Sequence, residues 1–287
     1  MSQLIQIKQR IRSIKATKKI TLAMRLISMS LYSRLDEQKI TVETFKQSVL
    51  NLFDKLQPHF KDWQNPTLFP VDILDETPLF IFTSSTKGLC GGLNANLNRY
   101  KDSKFFIEEH QKPTFITIGK RAEEYVSENK FGNIIYQYNE LNSNNLLTVA
   151  EKITQSILTA KTPYSSVTFY SSYLKNFFVQ APQKTIVIPF TKSTNNDTET
   201  ENITFEDEPI WEQSKEKIAD YIANKYINAS IVHLLFQALI SEHAARFVAM
   251  DSATTNAEKY LDTLTLQFNK TRQGLITREV SELSANL

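Results

Sequence analysis

Between residues 1 and 57 the chain contains neither glycine nor proline, and between residues 210 and 287 it contains one glycine, Gly274, and no proline. Stretches this long without a breaker read as helices. At 1.5 Å per residue the first would be about 80 Å long, well beyond the diameter of a domain built from such a chain. The second is weakly apolar from residue 241 to 283 and cannot bury itself alone. Two such helices at opposite ends of one chain satisfy each other as a long antiparallel coiled coil that protrudes from whatever lies between them.

The apolar spacing supports the pairing. Leu4, Ile7, Ile11 and Ile14 advance by alternating steps of three and four, the mark of a helix seam facing another helix. From there the apolar positions predict a shift of the seam to Ile20, Met24, Ile27, Leu31 and Leu35. Near the other end Leu261, Leu264, Phe268, Thr271, Leu275 and Arg278 keep the rhythm while turning polar. A rod whose seam fades in this way needs support from outside. Asp251, Glu258 and Asp262 sit at helical spacings and read as a solvated face.

A hydrophobic content of 41% suits a chain with a real core. No run of about 18 apolar residues is present, so nothing reads as a membrane-spanning helix. The net charge of +2 hides an uneven distribution. Lys8, Arg10, Arg12, Lys15, Lys18, Lys19, Arg25 and Arg34 precede the first acidic residue, Asp36, which makes the N-terminal helix a cationic rod. Such a start also fits a mitochondrial transit peptide, but the pattern runs on without a cleavage-like break. With Cys90 the single cysteine, no internal disulfide and no redox switch of that kind is possible.

Between the helices the character changes. Residues 79–85, 114–119, 133–138, 166–173 and 184–190 are rich in β-branched and aromatic side chains and read as strands. Helical stretches alternate with the first four, at about 93–110, 121–130 and 146–161. That alternation predicts a central Rossmann-like α/β domain with a mainly parallel sheet. The organisation expected is an N-terminal shaft helix over 1–57, a central α/β domain over 58–209 and a C-terminal shaft helix over 210–287. The polar run 192–202 reads as a surface loop.

Few constellations carry chemistry. The run GLCGGLN over residues 88–94 falls between the first strand and the first helix, where a dinucleotide fold would seat a pyrophosphate. Its spacing departs from GxGxxG, and no acidic residue closes the second strand, so a tight turn needing positive φ is the better reading. Gly119 and Lys120 lack the upstream glycine of a phosphate loop. His59, His110, His233 and His243 are scattered without ligand spacing. No nucleophile and base pair stands out. The expectation is a non-catalytic chain without cofactor or metal. The basic rod leaves open a helical-hairpin module for nucleic acid, although Tyr32 is the only aromatic residue before Phe45.

Taken together, IKQRIRSIKATKKITLAMRLIS (7–28), GLCGGLN (88–94), EHAARFVAMDSATTNA and LTLQFNKTRQGLITREVSEL resemble the gamma subunit of F-type ATP synthases. The match is close at both ends and weaker in the middle. The resemblance implies a central shaft turning inside a ring of alpha and beta subunits. Its α/β foot would meet the epsilon subunit and the membrane-embedded ring of c subunits. It implies no nucleic acid partner and no catalytic role. It places the protein peripherally on the cytoplasmic face of a bacterial membrane, with the mitochondrial inner membrane as the alternative.

By matched motif, the resemblance assigns beta-subunit contact to Met24, Cys90, Arg246, Arg272, Gln273 and Thr277, and c-ring or epsilon contact to Phe205 and Glu208. Three departures stand out. Thr86 and Lys87 replace the family's usual Asp and Arg before GLCGG, which predicts the loss of a local carboxylate interaction. The basic cluster after Met24 is thinned over 30–38. Gly274 replaces an alanine, at about 1 kcal/mol if interior and exposed. A divergent rotary ATPase with another task is therefore the alternative within this class.

Overall fold

The computed structural model describes residues 2–56, 59–60, 63, 65–70, 77–104, 113–190 and 211–285. Ten elements follow one another: α1 (Ser2–Leu56), β1 (Leu79–Thr83), α2 (Leu93–Lys104), β2 (Thr114–Ile118), α3 (Lys120–Glu128), β3 (Asn133–Tyr138), α4 (Leu146–Leu158), β4 (Val167–Asn176), β5 (Val179–Ile188) and α5 (Lys215–Ala285). No helix among the described residues is long and apolar enough to cross a membrane.

Helices α1 and α5 run antiparallel, and the step of three and four that opens at Leu4 never changes register. It continues through Lys18, Thr21, Arg25, Ser28, Tyr32, Leu35, Val42, Val49, Phe53 and Leu56, all buried or half-buried. The expected shift of the seam does not occur. Ile20 and Ile27 stand 60% and 59% exposed, and the seam beside them is polar instead. The hydroxyls of Thr21 and Thr254 meet at 2.9 Å, Lys18 pairs with Glu258 at 2.9 Å, and Arg25 pairs with Asp251 at 2.7 Å. Asp251 and Glu258 therefore tie the helices together rather than forming a solvated face. Following apolar residues alone led to the outer surface because the seam here is held by hydroxyls and charges.

Each of these pairs advances α1 by about as many residues as it retreats α5. That register sets Ser2 opposite Gly274. Leu264 is buried and Phe268, Thr271 and Leu275 are half-buried, whereas beyond Leu275 every described residue is exposed. The last turns of α5 therefore overhang its partner.

The sheet has the order β3-β2-β1-β4-β5, parallel except for β5. All five residues of β1 are buried, as expected of the middle strand of a parallel sheet covered on both faces. Leu79 and Ile81 face a large core shared with α4, α1 and α5. Phe80 and Phe82 face a second core with Leu97 of α2 and Ala122 and Val126 of α3. Between Ile227 and Arg246, α5 is buried on nearly all sides because it passes between α1 and the sheet.

Strand β5 begins five residues earlier than the sequence pattern indicates. Pro182 interrupts that pattern, but β5 is an edge strand and, among the described residues, has no strand on its outer side to receive the missing N–H. The Asn176 carboxamide oxygen accepts the N–H groups of Phe178 and Val179 and closes the turn. Phe177 then packs edge-on to Tyr32 of α1, at 4.7 Å, and lies 5.2 Å from Phe247 of α5. The hairpin is thus stapled to both shaft helices.

At the other end of the shaft, Phe53 is fully buried among Trp63, Phe190 and Tyr226. Phe53→Ala is expected to cost about 3–5 kcal/mol, read as a lowered urea midpoint with an unchanged slope. An unshifted midpoint would show that this cluster does not join the shaft to the sheet.

Candidate functional site

The loop leaving β1 is tied down from several sides. Ser84 donates its N–H to Ile118 and accepts the Ala122 N–H on its hydroxyl, which anchors the loop to β2 and α3. Asn94, in the first turn of α2, accepts the Ser85 N–H at 3.1 Å and donates to the Ser85 hydroxyl at 2.7 Å. The Cys90 thiol donates to that same hydroxyl and is itself buried. Thr86 receives the Leu141 N–H on its hydroxyl.

From the opposite side the loop is clasped by α5. The carboxylate of Glu242 accepts the N–H groups of Thr86 and Lys87, at 3.2 and 3.5 Å. Arg246, one turn further along, donates to the carbonyls of Lys87 at 2.9 Å and Gly88 at 3.3 Å, and also bonds Glu242. One buried ion pair thereby satisfies backbone donors and acceptors of the same three residues. Glu242 and Arg246 are 5% and 6% exposed. A pair desolvated to this degree holds only when its remaining bonds are made, and here the loop makes them.

The clasp fixes an unusual backbone. Leu89 has φ 64° and Gly91 φ 59°, so the positive-φ turn expected of GLCGG is present, but one of its two positions is a leucine. Gly91 lies against α5: a Cβ built there would meet the Cβ of Ala249 at 3.6 Å. Leu89 projects to the surface, 58% exposed, in a conformation that costs a leucine about 1–2 kcal/mol.

The other expected residues lie at three heights along the rod. Cys90 and Arg246 share the level of the clasp, and both are buried within this chain, 3% and 6% exposed. Met24 is half-buried beside the Arg25–Asp251 pair and is flanked by exposed Ile20 and Ile27. Arg272, Gln273 and Thr277 are exposed at the edge of the overhang, roughly 40 Å above Arg246 at 1.5 Å per residue. The Thr277 hydroxyl donates back to the Gln273 carbonyl at 3.0 Å. Phe205 and Glu208 lie outside the described residues.

Sequence reasoning missed Glu242. The signal was a charged pair four residues apart inside an otherwise apolar run, which a helix buried on all sides tolerates only if both charges are partnered. Thr86 and Lys87 do not leave the loop without a carboxylate, because Glu242 supplies one from α5.

A family model described as ATP synthase matches residues 3–286. The ATP synthase gamma chain of Helicobacter acinonychis is 30% identical over 302 residues, covering 100% of this chain and 99% of that one. The ATP synthase gamma chain of Pelagibacter ubique is 28% identical over 289 residues, covering 99% and 98%. Among solved structures, a chain of the Euglena gracilis mitochondrial ATP synthase assembly of OSCP, F1 and c-ring has the same fold. Its TM-score is 0.69 at 16% identity, over 99% of this chain and 93% of that one. A chain of the Tetrahymena thermophila mitochondrial central stalk and c-ring aligns with TM-score 0.53 at 17% identity, over 82% and 99%.

Two histidines of α5 lie in this buried stretch. Burial, reinforced by Arg246, pushes the His243 imidazole down to about 4, and burial with Lys46 nearby does the same for His233. Their ordinary value near 6.5 returns on unfolding. The stabilisation from keeping both neutral is thus complete above about pH 6.5 and is lost as pH falls toward 4, with a slope of up to about two protons. Urea midpoints measured from pH 7 to 4.5 are expected to fall along this slope, and His233→Gln with His243→Gln to flatten it. A slope unchanged in that double variant would assign the acid sensitivity to other groups.

Proposed function

Because the chain belongs to the ATP synthase family of gamma chains, we propose that it works as the central rotary shaft of an F-type ATP synthase. It is a non-catalytic subunit, and ATP turnover resides in the alpha and beta ring around it. Its other partners are the epsilon subunit and the c ring, through which it associates peripherally with a membrane. We place it on the cytoplasmic face of a bacterial membrane.

The observation that carries this reading is α5, one unbroken helix of 71 residues. It starts against the sheet, passes through the clasp, pairs with α1 and ends unaccompanied. Such an element transmits a twist applied at the foot to the tip without a joint between them. In this reading residues 1–57 and 210–287 form the shaft and residues 58–209 the foot, with Phe205 and Glu208 toward the c ring and epsilon.

The outer surface of the rod is not uniform, as a shaft that acts on its surroundings requires. Around Met24 the exposed residues Ile20, Leu26 and Ile27 make an apolar band on one helix only. At the overhang Arg272, Gln273 and Thr277 are polar and exposed. A ring site therefore meets apolar, cationic or polar surface according to the shaft's angle. Differential contact of this kind shifts the populations of open and closed catalytic sites. Met24, Arg272, Gln273 and Thr277 touch the beta subunits directly. Cys90 and Arg246 act through the loop they hold.

An alpha and beta ring assembled from the partner subunits is expected to sustain steady ATP hydrolysis only with this chain present. Equal sustained turnover without it would remove the shaft role. Met24→Lys adds a charge within the apolar band and is expected to lower ion pumping per ATP hydrolysed several-fold while leaving assembly intact. Undiminished pumping by this variant would count against the placement of Met24.

A further inference from the structure

In an open parallel sheet, the point where the strand order reverses leaves a crevice at the carboxyl ends of the strands, and ligands settle there. In this chain the reversal falls between β1 and β4: β2 and β3 lie to one side of β1, and β4 to the other. The loop leaving β1 aims the consecutive N–H groups of Thr86 and Lys87 at the carboxylate of Glu242, a residue that lines that crevice, and the Arg246 guanidinium closes on the same carboxylate. Convergent backbone N–H groups with an arginine form a donor set for an oxyanion. The oxyanion found there belongs to Glu242, which arrives from α5 and not from the loops of the sheet.

Little of the crevice remains. About 10 Å³ is left, enough for a single water, lined by Thr83, Ser84, Ser85, Asn94 and Ser172 among others. Thr83 on this lining is 3% exposed, and its buried hydroxyl has no hydrogen-bond partner among the described residues. The space therefore holds an unmet polar group beside an occupied anion seat, and it has no room for a pyrophosphate.

We infer that the crevice is an oxyanion-binding site which the chain keeps filled with its own Glu242 carboxylate. Removing that carboxylate leaves Arg246 buried without its counter-charge and two N–H groups without their acceptor. A vacancy of this composition selects phosphate or a small carboxylate over chloride, because both offer oxygen acceptors in more than one direction. The inference stands on the crevice alone and is independent of the rotary reading.

The test compares full-length wild type, Glu242→Ala and Glu242→Gln in thermal melts with inorganic phosphate, acetate or chloride at matched ionic strength. Glu242→Ala is expected to gain roughly 3–5 °C at phosphate a hundredfold above its Kd, with a smaller gain in acetate. Wild type and Glu242→Gln, whose side chains still fill the crevice, are expected to show only the smaller, general stabilisation that phosphate gives folded chains. Adding Arg246→Met to Glu242→Ala is expected to abolish the response. Identical melting of Glu242→Ala in phosphate and chloride overturns the assignment. If that variant is recovered unfolded, refolding from urea serves instead: a gain in yield from phosphate over chloride that exceeds the gain of the Glu242→Ala, Arg246→Met variant supports the site, and equal gains in the two variants refute it.

Discussion

Helix α5 is asked for two incompatible surfaces, and the rest of the structure follows from how it meets both demands. Between Ile227 and Arg246 it is packed between α1 and the sheet, so almost every side chain must be apolar or fully partnered. Past Thr254 it has, among the described residues, only α1 for company, and past Leu275 all of its described residues are exposed. Glu242 and Arg246 mark the place where the first regime hands over to the second. Their charges are sustained there because the β1 loop surrounds them with backbone donors and acceptors. The same contacts bind the loop to the shaft.

The coiled coil resolves a related tension. Two helices held by a continuous leucine seam would satisfy each other and present a uniformly polar exterior. Here the middle of the seam is built from Thr21, Thr254, Lys18, Glu258, Arg25 and Asp251, while Ile20, Leu26 and Ile27 lie outside. The cross-helix ion pairs are partly exposed, and each contributes modestly to stability. What they fix is register, and with it the angular position of the apolar band relative to the overhang. An exposed apolar surface is thereby left available without losing alignment.

Much of this architecture was legible in the residues. The absence of breakers marked both long helices, and β-branched runs located all five strands, because breakers and strand formers act locally. The seam between Lys18 and Ser28 was not legible, since its pairing is made by residues far apart in sequence and of the wrong polarity for a periodicity argument. The start of β5 was hidden by Pro182, whose tolerance depends on the strand lying at a sheet edge. Glu242 was hidden for a similar reason: its partner is a backbone segment more than 150 residues away. The assignment of Met24, Arg272, Gln273 and Thr277 rests on family resemblance, and nothing in their chemistry alone singles them out.

Gly274 gains a setting from the register of the two helices. It stands where α1 runs out and α5 continues alone, with no neighbouring side chain near the place a Cβ would occupy. Below it the rod is two helices thick, and above it one. Bending rigidity rises steeply with thickness, so the rod is stiff up to this point and compliant beyond it. A glycine at that step adds bending freedom where the partner ends, while the helix that carries the twist runs on unbroken through it.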